Sequence, residues 1–176
     1  MNHFIGAVLS ASVLLGAAWD LRFRKIPNWL TLSSMLAGIG LNLLCHGWQG
    51  LQSSLLGLFA GLGLLFLFYV AGGMGAGDVK MLGAAGTFLG PRLVFFAFIW
   101  MAVAGGILAI FLMVWKKAGR RTLGNLKDLI LSWILRIPPR EANLTLQNPS
   151  LIKLPYGVPI AIGAILAAWL RWIPGA

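Results

Sequence analysis

The chain contains very few acidic residues, cysteines and histidines. Its four acids are Asp20, Asp78, Asp128 and Glu141. The single cysteine excludes an intrachain disulfide, and with two histidines the chain lacks the ligands of a usual zinc site. Cys45 lies within an apolar run, so we expect a small buried hydrophobe there. No serine lies in a G-x-S-x-G pattern, which leaves no indication of serine-hydrolase chemistry.

Charge as a whole is also scarce. Charged residues make up 10% of the chain and hydrophobic residues 59%, whereas soluble domains carry about 25% charged residues. This composition predicts a polytopic membrane protein of one domain, residues 1–176. The net charge of +10 then indicates cytoplasmic loops and contact with anionic lipids. Nucleic acid is not an expected partner, because no aromatic and basic face of a soluble domain is visible.

Six apolar runs predict the fold class, an all-α bundle of six transmembrane helices. The runs cover residues 4–19, 29–44, 51–71, 79–89, 93–115 and 156–172. With both termini outside, the loops 20–28, 72–80 and 116–155 face the cytoplasm and hold twelve of the fourteen basic residues, as the positive-inside rule requires. Within the last loop, residues 123–137 repeat apolar positions at helical spacing. We expect an amphipathic helix on the cytoplasmic side there, with a seventh packed helix as the alternative.

Two of the acids fall at the same predicted membrane boundary. Asp20 directly follows the first run and Asp78 directly precedes the fourth. Two carboxyl groups close together in a poorly hydrated place share one proton, so one can deprotonate water while the other protonates a carbonyl oxygen. That is the chemistry of an aspartyl protease, and it requires no metal or cofactor. Gly75 and Gly77, beside Asp78, permit close approach of a substrate or simply close helix packing.

Other functions fit the same acids. Asp20 beside Arg22 is also compatible with an interfacial ion pair. Acids in membrane helices often relay protons, so a small proton-coupled transporter or channel is the main alternative. A non-enzymatic assembly scaffold would need neither acid.

Three motifs in order resemble the type IV prepilin peptidases. They are "DLRFRKIPNWL" from Asp20, "GAGDVKML" from Gly75, which has the family's GxGD pattern, and "LPYGVPIAIG" from Leu154. Pro159 stands where the family pattern leads us to expect alanine. The resemblance implies an intramembrane aspartyl protease with Asp20 and Asp78 as the catalytic pair. It implies supporting roles for the other matching residues, which are Gly75, Gly77, Lys80, Pro27, Asn28, Pro155, Tyr156 and Gly157.

The resemblance also implies a substrate and a location. The substrate would be a prepilin whose short basic leader is cut on the cytoplasmic side, after a glycine and before a hydrophobic helix. The enzyme would lie in the bacterial inner membrane and work without a cofactor. Its further partners would be anionic lipids and the pilus assembly machinery. Longer family members carry a paired-cysteine region and methylate the new N-terminus. This chain resembles the short Flp-type, tight-adherence peptidases, so we expect no methyl transfer.

Overall fold

The computed structural model describes residues 3–115 and 155–170, which form helices joined by short connections, without any strand among them. The helices are α1 (His3–Phe23), α2 (Asn28–Val70), α3 (Ala76–Trp115) and α4 (Gly157–Leu170). By length and composition, three of them are able to cross a membrane: α1, α2 and residues Ala76–Leu112 of α3. This confirms the all-α membrane class.

The packing described below lies within one compact unit, residues 1–105 together with 155–176. A second unit comprises residues 106–154, of which the structure describes 106–115 as the end of α3. The predicted amphipathic helix at 123–137 lies outside the described residues. The assignment of the whole chain to one domain stays a prediction.

The predicted count of six separate transmembrane helices is not supported, because the described residues form four helices, two of them interrupted at a glycine, and three of the four are candidate spans. The prediction placed loops after residues 44 and 89. At both places the chain instead stays helical on either side of one glycine, Gly47 in α2 and Gly90 in α3. Both glycines have positive φ, 57° and 77°, a conformation that side-chain-bearing residues rarely adopt. A single residue thus interrupts each helix, and no polar loop is needed.

Helix α2 reverses direction at Gly47. The amide of Asn42 and the hydroxyl of Ser54 both donate to the carbonyl oxygen of Thr87, at 2.9 and 2.7 Å. On a straight helix residues 42 and 54 would lie about 18 Å apart, so they cannot meet at one oxygen atom unless the chain folds back between them. A straight α2 of 43 residues would also be about 65 Å long, twice the roughly 30 Å of a bilayer core.

Helix α3 reverses direction at Gly90. Gly57 packs against Gly86, and Gly61 against Leu82, so this part of α2 runs antiparallel to the start of α3. On that register Phe68 lies level with the beginning of α3. Its ring nevertheless contacts the ring of Phe98, with centroids 6.2 Å apart. That contact requires α3 to turn back after Gly90.

Apolar side chains cover the outside of the helices. Many large apolar residues are exposed, including Leu44, Trp48 and Leu67, each more than two-thirds exposed. Such a surface suits lipid, which solvates apolar groups without cost. Cys45 is exposed as well, so the expected burial of this side chain is wrong. In an apolar solvent, hydrophobic character does not force a side chain inward.

Helices in the interior of the bundle pack with their backbones in close contact. A Cβ on Gly57 would touch the carbonyl oxygen of Gly86, and a Cβ on Gly86 would touch that of Gly57. Small residues let membrane helices approach in this way, and van der Waals contact then stabilises the pair. The buried hydroxyl of Thr87 donates to the Ala84 carbonyl oxygen at 2.7 Å, so this polar group is satisfied within its own helix.

Candidate active site

Asp20 is buried near the C-terminal end of α1, with 6% of its surface exposed. The helix ends three residues later, where Arg24 takes a positive φ of 52° and donates its N–H to the Asp20 carbonyl oxygen at 2.8 Å. One carboxylate oxygen of Asp20, Oδ2, accepts the backbone N–H of Gly157 at 2.9 Å. Gly157 is the first residue of α4, so Asp20 lies at the positive end of that helix dipole.

Asp78 is buried in the first turn of α3, with 8% of its surface exposed. Its Oδ2 accepts the N–H of Gly75 at 3.0 Å, and its own N–H donates to the Gly75 carbonyl oxygen at 3.1 Å. This reciprocal pair resembles a capping box, in which an acidic side chain at the third helical position reaches back to the residue before the helix. The arrangement fixes the carboxyl group at the helix start.

The two acids meet at one end of the bundle. The C-terminal end of α1 meets the N-terminal end of α4 through the bond from Gly157 to Asp20. It meets the start of α3 where Met81 packs on Gly16, so Asp20 and Asp78 each lie about one helical turn beyond that contact. One carboxyl oxygen of each acid accepts a hydrogen bond from a backbone N–H group. The two acids singled out by the sequence therefore lie at the same end of the bundle, and their catalytic role stays a prediction.

The segment Pro155–Gly157 contacts Asp20 through its last residue. Gly157 packs so closely on Asp20 that a Cβ would lie 2.9 Å from Asp20 Cβ and 3.1 Å from its Oδ2. Tyr156, which precedes the first residue of α4 and lies outside the three candidate spans, is half-buried. Burial first, and then the negative charge of Asp78, raise the pKa of the Tyr156 hydroxyl above its ordinary value of 10.0.

A second link ties the start of α2 to the start of α3. Lys80 Nζ donates to Asn28 Oδ1 at 2.9 Å at the exposed edge of the site. Pro27 is extended, with φ −71° and ψ 141°, and forms the N-cap of α2. Gly77 packs on Ile26, whose Cβ would lie 3.1 Å from a Cβ at residue 77. Among the predicted supporting residues, Gly75 and Gly157 thus contact the acids directly, and the roles of all of them stay predictions.

A small cavity lies one helical turn deeper than the acids. Its walls combine apolar side chains with hydroxyl groups from α1 and α2, and they include Ser12, Gly16, Thr31, Ser34, Met81 and Phe88. Thr31 and Ser34 already donate to backbone carbonyl oxygens of their own helix, at 3.0 and 2.7 Å. Within residues 3–115 and 155–170, no three His, Cys, Asp or Glu side chains converge as metal ligands would.

Sequence reasoning missed the buried polar contacts of Asn42, Ser54 and Thr87. Single polar residues within apolar runs give no signal of which distant carbonyl oxygen they will reach. The specific partner of Asp20 was equally hidden, because Gly157 lies 137 residues away along the chain.

A comparison with family models identifies a match to the type IV leader peptidase family over residues 7–110. The matched region covers more than half of the chain and contains both Asp20 and Asp78, whereas the segment Pro155–Gly157 lies beyond it. No curated protein and no solved structure matches the chain. The family consists of peptidases of the aspartic type and gives no support to the transporter alternative. This membrane-embedded chain therefore belongs to the type IV leader peptidase family.

Proposed function

We propose that this protein is an intramembrane aspartyl endopeptidase that removes the short basic leader of Flp-type prepilins, with Asp20 and Asp78 activating water. The observation that carries the proposal is the pair itself. Two buried carboxyl groups from separate helices lie at one end of the bundle, each about one helical turn beyond the packing contact of Gly16 with Met81. Isolated buried acids are costly, and here each is held by a backbone N–H group at the start of a helix.

The arrangement supports a direct attack by water. The ionised carboxylate takes a proton from water as the water oxygen adds to the scissile carbonyl carbon. The protonated partner gives its proton to the carbonyl oxygen. When the C–N bond breaks, the amine nitrogen takes the first proton back and the second acid regains its own. Both carboxyl groups return to their starting state, and no covalent intermediate forms.

The charges near the site support a cytoplasmic orientation. The exposed residues Arg22, Arg24 and Lys25 lie in and just after the end of α1 that carries Asp20. Lys80 lies beside Asp78 at the start of α3. Basic residues gather on the cytoplasmic side of membrane proteins. We therefore place the acids on the cytoplasmic side of the bacterial inner membrane, with both termini outside and anionic lipids around the basic residues.

A cleavage assay tests this proposal. The chain is co-expressed with a Flp-type prepilin, and loss of the leader is measured on a gel and by mass spectrometry. We expect cleavage after the leader glycine by the wild type and by Asp128→Asn, since Asp128 is predicted on the cytoplasmic amphipathic stretch, apart from the pair. Asp20→Asn and Asp78→Asn should leave the prepilin uncut while still inserting in the membrane. A prepilin panel left intact by the wild type would refute the proposed substrate.

A further inference from the structure

Tyr156 lies at the junction between the two acids. Its neighbour Gly157 donates to Asp20 Oδ2 at 2.9 Å, and burial together with the charge of Asp78 raises the pKa of its hydroxyl. The backbone around it is held in place, because Val158 N–H bonds to the Pro155 carbonyl oxygen and Ile160 N–H to the Tyr156 carbonyl oxygen, at 3.3 and 3.1 Å. Tyr156 is thus held one residue before the N–H group that binds Asp20, and its half-buried side chain belongs to this end of the bundle.

The reaction needs a hydrogen-bond donor for the substrate carbonyl oxygen, where negative charge develops. The backbone N–H groups of Gly75 and Gly157 are already bonded to the two acids. The ammonium group of Lys80 donates to Asn28 at the exposed edge. A half-buried phenol is a neutral donor that adds no charge to compete with the shared proton of the pair.

We propose that the Tyr156 hydroxyl donates a hydrogen bond to the scissile carbonyl oxygen as the tetrahedral intermediate forms. Tyr156 keeps its proton throughout. The water proton still passes to one carboxylate, and the other carboxyl group still protonates the carbonyl oxygen. The hydroxyl stabilises the charge that builds on that oxygen before protonation is complete. The inference rests on the proposed peptidase function and adds a third side chain to its site.

The variant Tyr156→Phe tests the inference, because phenylalanine keeps the ring and removes only the hydroxyl. Tyr69→Phe is a matched control, since Tyr69 is the second of the two tyrosines in the chain and is 44% exposed on α2. The kinetics of prepilin cleavage are measured on purified protein in detergent. Removal of one such donor lowers kcat by roughly 100-fold, and we expect KM to change by less than about twofold because the bond forms mainly in the transition state.

A second measurement separates this role from packing. It is the affinity for a non-cleavable prepilin peptide that carries a hydroxyl-bearing tetrahedral carbon in place of the scissile carbonyl. Tyr156→Phe should weaken binding of this peptide by a factor comparable to the loss in kcat/KM. Should the phenylalanine variant fold poorly on thermal unfolding, Tyr156→His and Tyr156→Leu are compared. The histidine retains a donor and should cleave faster than the leucine.

Three results would overturn the inference. The first is a wild-type rate for Tyr156→Phe, and the second is slow cleavage by this variant with wild-type affinity for the tetrahedral peptide. Equal rates for the histidine and leucine variants would count against it in the same way. Failure of the proposed function looks different, because the wild type and Tyr69→Phe would then also leave the prepilin uncut.

Discussion

Substituting Gly157 by alanine should slow cleavage through a contact with Asp20. The added Cβ would lie 2.9 Å from Asp20 Cβ and 3.2 Å from Ala17 Cα, whereas carbon atoms pack at about 3.5–4.0 Å. The start of α4 must therefore move away from α1 by roughly 0.5–1 Å. Gly157 has no positive φ, so the backbone itself accepts alanine and the cost arises from the contact alone.

That displacement acts on both stability and rate. Overpacking of this size costs about 1–3 kcal/mol of unfolding free energy. The 2.9 Å hydrogen bond from Gly157 to Asp20 also stretches, which misplaces the carboxylate. A misplacement near 1 Å at a catalytic group lowers rates by up to about 100-fold. The expected result is a loss of about 10- to 100-fold in kcat/KM.

The assay is the initial rate of leader removal from purified prepilin, with thermal unfolding of each variant measured in the same detergent. Gly63→Ala is the matched control, because nothing lies within 4 Å of a Cβ at that position of α2. It should keep the wild-type rate. The reasoning is refuted if Gly157→Ala, folded to the same extent as the wild type, also cleaves at the wild-type rate.

Three further predictions concern stability and positioning. The 2.9 Å bond between Lys80 and Asn28 is removed by either Lys80→Met or Asn28→Ala, so each variant should slow cleavage to a similar degree. The double variant should be no slower than either single variant. Additive losses would show that the bond is unimportant. Gly57→Ala places a methyl group against the Gly86 carbonyl and should cost about 1–3 kcal/mol in thermal unfolding, whereas an unchanged melting temperature would contradict the close helix packing. Burial and the charge of Asp78 raise the pKa of the Tyr156 hydroxyl, so stability that depends on the neutral phenol is complete below about pH 10 and declines as the pH rises through the raised pKa. Tyr156→Phe should therefore lose less stability than the wild type in strongly alkaline buffer, and equal losses would count against this assignment.

The sequence was sufficient to predict the helical membrane class, and physical reasoning also drew attention to the two acids. A carboxylate beside glycines in a chain with four acids is costly in a membrane, so its position is informative. Asp20 and Asp78 were predicted to share one boundary, and the structure places both at one end of the bundle. The glycine at the start of α4 was identified by motif resemblance alone, and its hydrogen bond to Asp20 could not be derived from spacing.

The helix count was harder to predict because a glycine between two apolar runs is compatible either with a loop or with a sharp reversal inside one helix. Gly47 and Gly90 reverse the chain without a polar loop, whereas the hydropathy pattern shows only a local dip at each place. Burial was also hard to predict, as Cys45 illustrates. When lipid is the solvent, apolar character does not distinguish the interior of the bundle from its outer surface.

The central claim is that Asp20 and Asp78 act as one unit. The most direct test measures kcat/KM for purified wild type, Asp20→Asn, Asp78→Asn and the double variant with one Flp-type prepilin. Residues that share a catalytic step are strongly non-additive, so each single variant should lose at least about 10³-fold and the double variant should lose no more than the worse single. A single variant that retains the wild-type rate, or a double variant whose loss equals the product of the two single losses, would contradict the account.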